Sequence, residues 1–204
     1  MRVWAVTGIL PQRSARFVFC VFAALCGCSL IEPREPEEPS QTGLDFSPPT
    51  DPTIVIANLQ GAIDQKNLAN YVSCFADPAK TSRPFTFVAS AEARAQYPAI
   101  LDGWSLDDER DYFQNMMAKT QKGAFSNLLL SLRSSAIAAD SVTYSYDYVL
   151  TIEHTDPGIQ RTARGNLQFT LGADRNRFWA IYRWIDFKTT SDVTWSAFKG
   201  KFGN

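Results

Sequence analysis

Val142-Thr143-Tyr144-Ser145-Tyr146-Asp147-Tyr148-Val149-Leu150-Thr151-Ile152-Glu153 is the stretch that decides the fold class. Val142, Tyr144, Tyr146, Tyr148, Leu150 and Ile152 alternate with Thr143, Ser145, Asp147, Thr151 and Glu153. Successive side chains of a strand point to opposite faces, so the alternation predicts a long strand with one face on a core and one in water. Asp156-Pro157-Gly158 turns the chain, after which Ala163, Leu167, Phe169 and Leu171 alternate with Arg164, Asn166, Gln168 and Thr170. Gly172-Ala173-Asp174 turns it again into Phe178 to Phe187, which is apolar on both faces and so needs cover on both. Phe125 to Leu132, also apolar-rich, makes a strand ahead of these.

Upstream the period becomes helical. Asp51-Pro52-Thr53 reads as a capping acid followed by proline at the first helical position. Val55, Leu59, Ala62 and Ile63, then Leu68, Tyr71, Val72 and Phe75, predict one helix of roughly 22 residues, bent near Gly61 or Asn67. Phe85 to Val88 is a short strand, and Ser90 to Tyr97 a small helix with Ser90 as cap and Pro98 as stop. Ser105 with Asp108 forms a capping box opening a helix whose apolar face is Tyr112, Phe113, Met116 and Met117. Trp195, Phe198 and Phe202 form a last short helix or arm. Helices first and then a meander of long antiparallel strands is an α+β pattern.

The first 27 residues are of another kind. Arg2, Arg13 and Arg16 stand there without an acid, and Phe17 to Leu25 is unbroken apolar chain. That is the layout of a secretory signal, and the run is too short for a spanning helix, which needs about 20 apolar residues. Leu25-Cys26-Gly27-Cys28 resembles a bacterial lipobox. The resemblance implies cleavage after Gly27, lipidation of Cys28 and attachment to a lipid bilayer through the acylated cysteine. One acyl chain holds a protein only marginally, at about 0.8 kcal/mol per buried CH₂, and lipobox cysteines receive two or three. Ser29 resembles the outer-membrane-sorted class, which places the protein in the cell envelope at the periplasmic face or the cell surface.

Residues 28–52 form an acidic tether holding six of the eleven prolines. From Cys28 to Thr53 six acids face only Arg34, so the segment is expected to be extended, as a spacer or as a surface-sorting signal. Residues 53–204 make the domain. Ile54 to Asn204 carries 16 basic and 15 acidic residues, a balance that offers no footprint for nucleic acid. Cys20 and Cys26 leave with the signal and Cys28 takes lipid. Cys74 alone remains, a small buried hydrophobe without a disulfide partner in the chain. With His154 the only histidine, neither a His/Cys metal site nor a cofactor is expected.

Asn58-Leu59 with Ala62-Ile63, Asn67, Tyr71 and Phe75, then Trp104 with Glu109, and Trp179-x-Ile181-x-x-Trp184-x-Asp186 are similar to the nuclear transport factor 2-like superfamily. In that fold a curved sheet wraps over an N-terminal helix to form a cone. The closing Thr194-Trp195-Ser196-Ala197-Phe198-Lys199 resembles uncharacterised bacterial lipoproteins of the superfamily. The resemblance implies a cavity in which relatives catalyse isomerisation, dehydration or hydrolysis, typically with an Asp base, a His or a Tyr.

Asp186, Tyr71 and Tyr182 are the catalytic alternatives here, with Asp186 expected on the face of Trp184 and Tyr182. His154, beside Asp156-Pro157-Gly158, is expected to face solvent. Tyr71, Trp104, Phe113, Tyr148, Tyr182 and Trp184 are the ligand-pocket candidates, suited to an apolar molecule. No nucleophile–base pair, metal cluster or phosphate loop is visible, so a non-catalytic binding or scaffolding role is preferred over an enzyme. The partners expected are an apolar ligand or an envelope protein, and a second copy of the chain through the sheet. Arg161, Arg164, Arg175, Arg177 and Arg183 read as a solvated face.

Overall fold

The computed structural model describes residues 46–190 and 193–203; the Leu25–Cys28 motif and the acidic stretch through Asp45 lie outside them. From Phe46 to Thr50 the chain has no regular structure, yet it is fixed to the domain. Ser47 N donates to Asn58 Oδ1 at 3.0 Å, Asn58 Nδ2 returns a bond to Ser47 O at 2.8 Å, and Trp179 N donates to Pro49 O at 2.7 Å.

Helix α1, Pro52–Asp64, begins where Asp51 accepts from Thr53 N, with Pro52 in the first turn. Val55, Leu59, Ala62 and Ile63 recur on its inner face and are buried. The expected long helix is two: Lys66 adopts φ 55°, and Asn67 caps a second helix, α2, Leu68–Ser73, by accepting from Asn70 N. The asparagine side chain offers the backbone a cap instead of another turn, which breaks the helix.

Strand β1 is Thr86–Val88, followed by short helices α3, Ala91–Gln96, and α4, Pro98–Leu101. Pro98 thus ends one helical turn by starting another, since proline fits a first turn. Helix α5, Leu106–Ala118, opens with the Ser105–Asp108 capping box, both arms of which form. Strands β2 (Ser126–Ile137), β3 (Ser141–Ile152), β4 (Thr162–Ala173) and β5 (Trp179–Phe187) follow, and helix α6, Trp195–Phe202, is capped by Thr194.

The sheet order is β1-β5-β4-β3-β2. It is mixed and not wholly antiparallel, because β1 runs parallel to β5 with Phe87 opposite Trp184. Parallel neighbours need a long crossover, and everything from α3 to β4 supplies it. The inner face carries Tyr146, Tyr148, Leu150 and Ile152 of β3 and Ala163, Leu167, Phe169 and Leu171 of β4, all buried. Each of the leucine, isoleucine and phenylalanine side chains among them contributes about 1.5–3 kcal/mol on removal from water. Gly165 has no alternative on that face: a Cβ there would lie 2.5 Å from Phe187 O and 2.9 Å from Tyr148 Oη.

Between β4 and β5 the register shifts, Leu171 facing Ile181 while Thr170 faces Arg183. Tyr182 is the extra residue of this bulge. It turns Tyr182 out while Ile181, Trp184 and Asp186 stay buried on the inner face. Tyr182 and Asp186 therefore do not share a face, contrary to the simple alternation.

Candidate functional site: a cone filled from within

Asp186 stands near the end of β5 and is 1% exposed. Its Oδ1 accepts from Tyr148 Oη at 2.9 Å, and its Oδ2 accepts from Ser196 N at 2.7 Å and from Ser196 Oγ. Tyr148 Oη in turn accepts from Trp195 N at 2.7 Å. The carboxylate thus holds the first turn of α6, where backbone N–H groups lack helical partners and favour negative charge. Burial raises its pKa above the ordinary aspartate value, and the bonds from Ser196 and Tyr148 pull it back. A general base must aim a free lone pair at a substrate proton, and this one is directed into the fold.

A second buried acid lies on α5. Glu109 is 0% exposed; its Oε1 accepts from Tyr71 Oη at 2.5 Å and its Oε2 from Trp104 Nε1 at 2.8 Å. The Lys199 ammonium from α6, also 0% exposed, forms an ion pair with the same Oε2. Around that ammonium stand the rings of Trp184 at 3.9 Å, Phe87 at 4.4 Å, Tyr112 at 5.0 Å and Trp104 at 5.1 Å. Those distances lie within cation–π reach. Burial pushes the Lys199 pKa down to about 8, against the pull of Glu109. Tyr112 and Trp195 join the two acid clusters, Trp195 Nε1 donating to Tyr112 Oη at 2.9 Å.

Of the sequence-derived candidates, Tyr71, Trp104, Phe113, Tyr148 and Trp184 are packed inside the cone, each at most 4% exposed. Tyr71 stacks on Phe113 at 3.9 Å between centroids and spends its hydroxyl on Glu109. Tyr148, and neither Tyr71 nor Tyr182, meets Asp186. Tyr182 lies outside under the Arg83 guanidinium, 5.0 Å from the ring, and borders an open groove of about 630 Å³. Phe46, Pro49, Arg83, Phe178 and Trp179 line the same groove. Cys74 is buried, its pKa raised by desolvation, and donates to Asn70 O.

His154 is not solvent-facing. It is 1% exposed, edge-on to Phe198 and Phe202, because α6 folds back across the turn. Sequence reasoning does not single out Glu109 or Lys199 as site residues, although a signal exists. Glu109 precedes Tyr112, Phe113 and Met116 by three, four and seven residues, and Lys199 follows Trp195 by four and precedes Phe202 by three. Each charge therefore sits on the apolar face of its helix, and the two have opposite sign. Among the described residues no three His, Cys, Asp or Glu side chains are placed to hold a metal, and no helix is long and apolar enough to cross a membrane.

No protein-family model and no curated protein matches the chain in sequence. Its backbone is similar to that of a conserved protein from Planctomyces limnophilus, with a TM-score of 0.50 at 8% identity, over 66% of this chain and 91% of that one. A protein from Novosphingobium aromaticivorans, provisionally named an aromatic ring hydroxylase, also gives 0.50, at 11% identity over 68% of this chain and 87% of that one. A nuclear transport factor 2-like superfamily protein from Salmonella enterica serovar Typhimurium gives 0.47, at 15% identity over 68% and 89%. Identities this low speak to fold alone.

Proposed function

We propose that this domain, which has the nuclear transport factor 2-like fold, serves as a non-catalytic binding module held at the bacterial cell envelope by acylated Cys28. The observation that carries the non-catalytic reading is the placement of Asp186. Its carboxylate holds α6 through Ser196 and Tyr148, with no solvent-facing side left for a substrate. The rival, an enzyme using Asp186 with Tyr71 or Tyr182, lacks its pairing: Tyr71 serves Glu109, and the bulge carries Tyr182 outside.

The outer groove is open to a ligand, and its size is that of a small-molecule site. Aromatic rings and prolines suit the apolar body of a small molecule there, beside charged side chains such as Lys80, Arg83, Arg110 and Asp174 that suit a polar end; an envelope protein is the other occupant to test for. Anchoring rests on the Leu25–Cys28 motif and the apolar run before it. Outer-membrane placement rests on Ser29 alone.

In detergent phase separation the mature protein is expected in the detergent phase. Cys28→Ala should accumulate as an unprocessed, unlipidated precursor. A Cys28→Ala protein that is cleaved and partitions like the native one contradicts the anchor.

A further inference from the structure

We infer that the interior of the cone is a cation site whose resident ligand is the chain's own Lys199, and that it takes a primary alkylammonium when the lysine stem is removed. The side chains that face the ammonium all come from elements other than the helix that fills the site. Phe87 comes from β1, Trp104 from the loop before α5, Glu109 and Tyr112 from α5, and Trp184 from β5. Glu109 is held by Tyr71 and Trp104, neither of them on α6, so the carboxylate stays aimed whatever occupies the space. Four ring faces and one carboxylate offset part of the cost of desolvating an ammonium, a cost that still lowers the Lys199 pKa to about 8, so the cation is probed below that pH.

α6 is also held independently of Lys199. Ser196 bonds Asp186, Trp195 bonds both Tyr148 and Tyr112, and Gly200 lies so close to Tyr97 that a Cβ would come within 2.3 Å of the ring. Shortening Lys199 therefore opens a slot for three methylenes and an ammonium while leaving the helix docked. The inference concerns the cone's interior and does not depend on the outer groove or the envelope placement.

The experiment uses the full chain purified in detergent, with thermal unfolding as the readout and sodium chloride as the ionic-strength control. Lys199→Ala is expected to lower the midpoint. n-Propylammonium, which supplies the missing carbons and charge, should raise it saturably, by about 3–5 °C at tenfold excess over its dissociation constant. 1-Propanol should give no such rise in Lys199→Ala, and n-propylammonium none in the wild type or in Glu109→Gln/Lys199→Ala. A Lys199→Ala protein that ignores n-propylammonium, or answers 1-propanol equally, overturns the cation site. Should Lys199→Ala fail to fold, Lys199→Met keeps the stem's bulk without its charge. It must then be less stable than the wild type and recover when Glu109→Gln is added; Lys199→Met as stable as the wild type overturns the inference.

Discussion

The Lys199 ammonium and the Glu109 carboxylate pair with neither side chain exposed, one supplied by the last helix and the other by α5. Two charges taken out of water cost several kcal/mol each, and their attraction offsets this only where the remaining polar atoms are also bonded. Tyr71 and Trp104 complete the carboxylate's bonds, and the rings of Trp184 and Phe87 face the cation. The pair therefore ties α6 to α5, and the stability of the domain depends on its protonation.

That dependence has a definite sign. The Lys199 pKa is about 8 in the fold and near the ordinary 10.5 when unfolded, so between these values the unfolded chain holds the extra proton. Stability from this group accordingly rises with pH from about 8 to 10.5, by about 3 kcal/mol in full. Tyr71, Tyr112 and Tyr148 act oppositely, since burial raises each well above the usual tyrosine range and stability is lost above about pH 10. Urea unfolding from pH 6 to 11 checks this. The wild type should gain stability relative to Lys199→Met between pH 8 and 10; a constant difference removes the assignment.

Asp186→Asn should destabilise the domain by about 2–3 kcal/mol, because an amide cannot accept the bonds from Tyr148 and Ser196 without turning a donor toward a donor. Ser196→Ala keeps the backbone bond to Asp186 but loses the hydroxyl, which donates to Asp186 and accepts from Ser90 N at 2.9 Å; with the charge-assisted backbone bond intact it should still cost less than Asp186→Asn. Chemical denaturation orders the two. Asp186→Asn with unchanged stability would show that the carboxylate is not holding α6.

Two glycines separate backbone freedom from space. Gly61 lies within α1 with nothing inside 4 Å of an added Cβ, so Gly61→Ala should stabilise by roughly 0.5–1 kcal/mol. Gly165→Ala would push against Phe187 O and the Tyr148 hydroxyl and should cost at least about 1–3 kcal/mol. Thermal midpoints moving in the same direction for both would contradict the packing described.

Much of this architecture was legible in period and punctuation. Strand β3 follows its polar–apolar alternation, and the caps at Asp51 and Ser105 stand where the residue types put them. What could not be read depends on distant partners. A one-residue bulge reverses facing, so Tyr182 passed for a neighbour of Asp186. β1 is three residues long and carries no mark of its parallel partner. His154 sits beside a turn signal, and only α6, more than forty residues on, buries it. Glu109 and Lys199 were visible as charges on apolar faces, but their meeting needed the fold.

The outer face of the sheet bears on self-association. Leu129, opposite Val149, and Phe187, opposite Asn166, point away from the inner face and are 58% and 41% exposed. A second copy is proposed to cover that face. Light scattering of residues 44–204, which keep the Ser47 and Pro49 contacts, should give a dimer at micromolar concentration. Leu129→Lys should shift it toward monomer; a monomeric native fragment contradicts self-association.

Native mass spectrometry of the protein purified from its own envelope, with any retained molecule followed over time, tests the binding role most directly. A non-catalytic module should retain an apolar ligand or a partner chemically unchanged. Retention should weaken in Tyr182→Ala, which alters the outer groove, and persist in Asp186→Asn kept below its unfolding midpoint. Conversion of the retained molecule to a product, abolished in folded Asp186→Asn, would contradict the non-catalytic account.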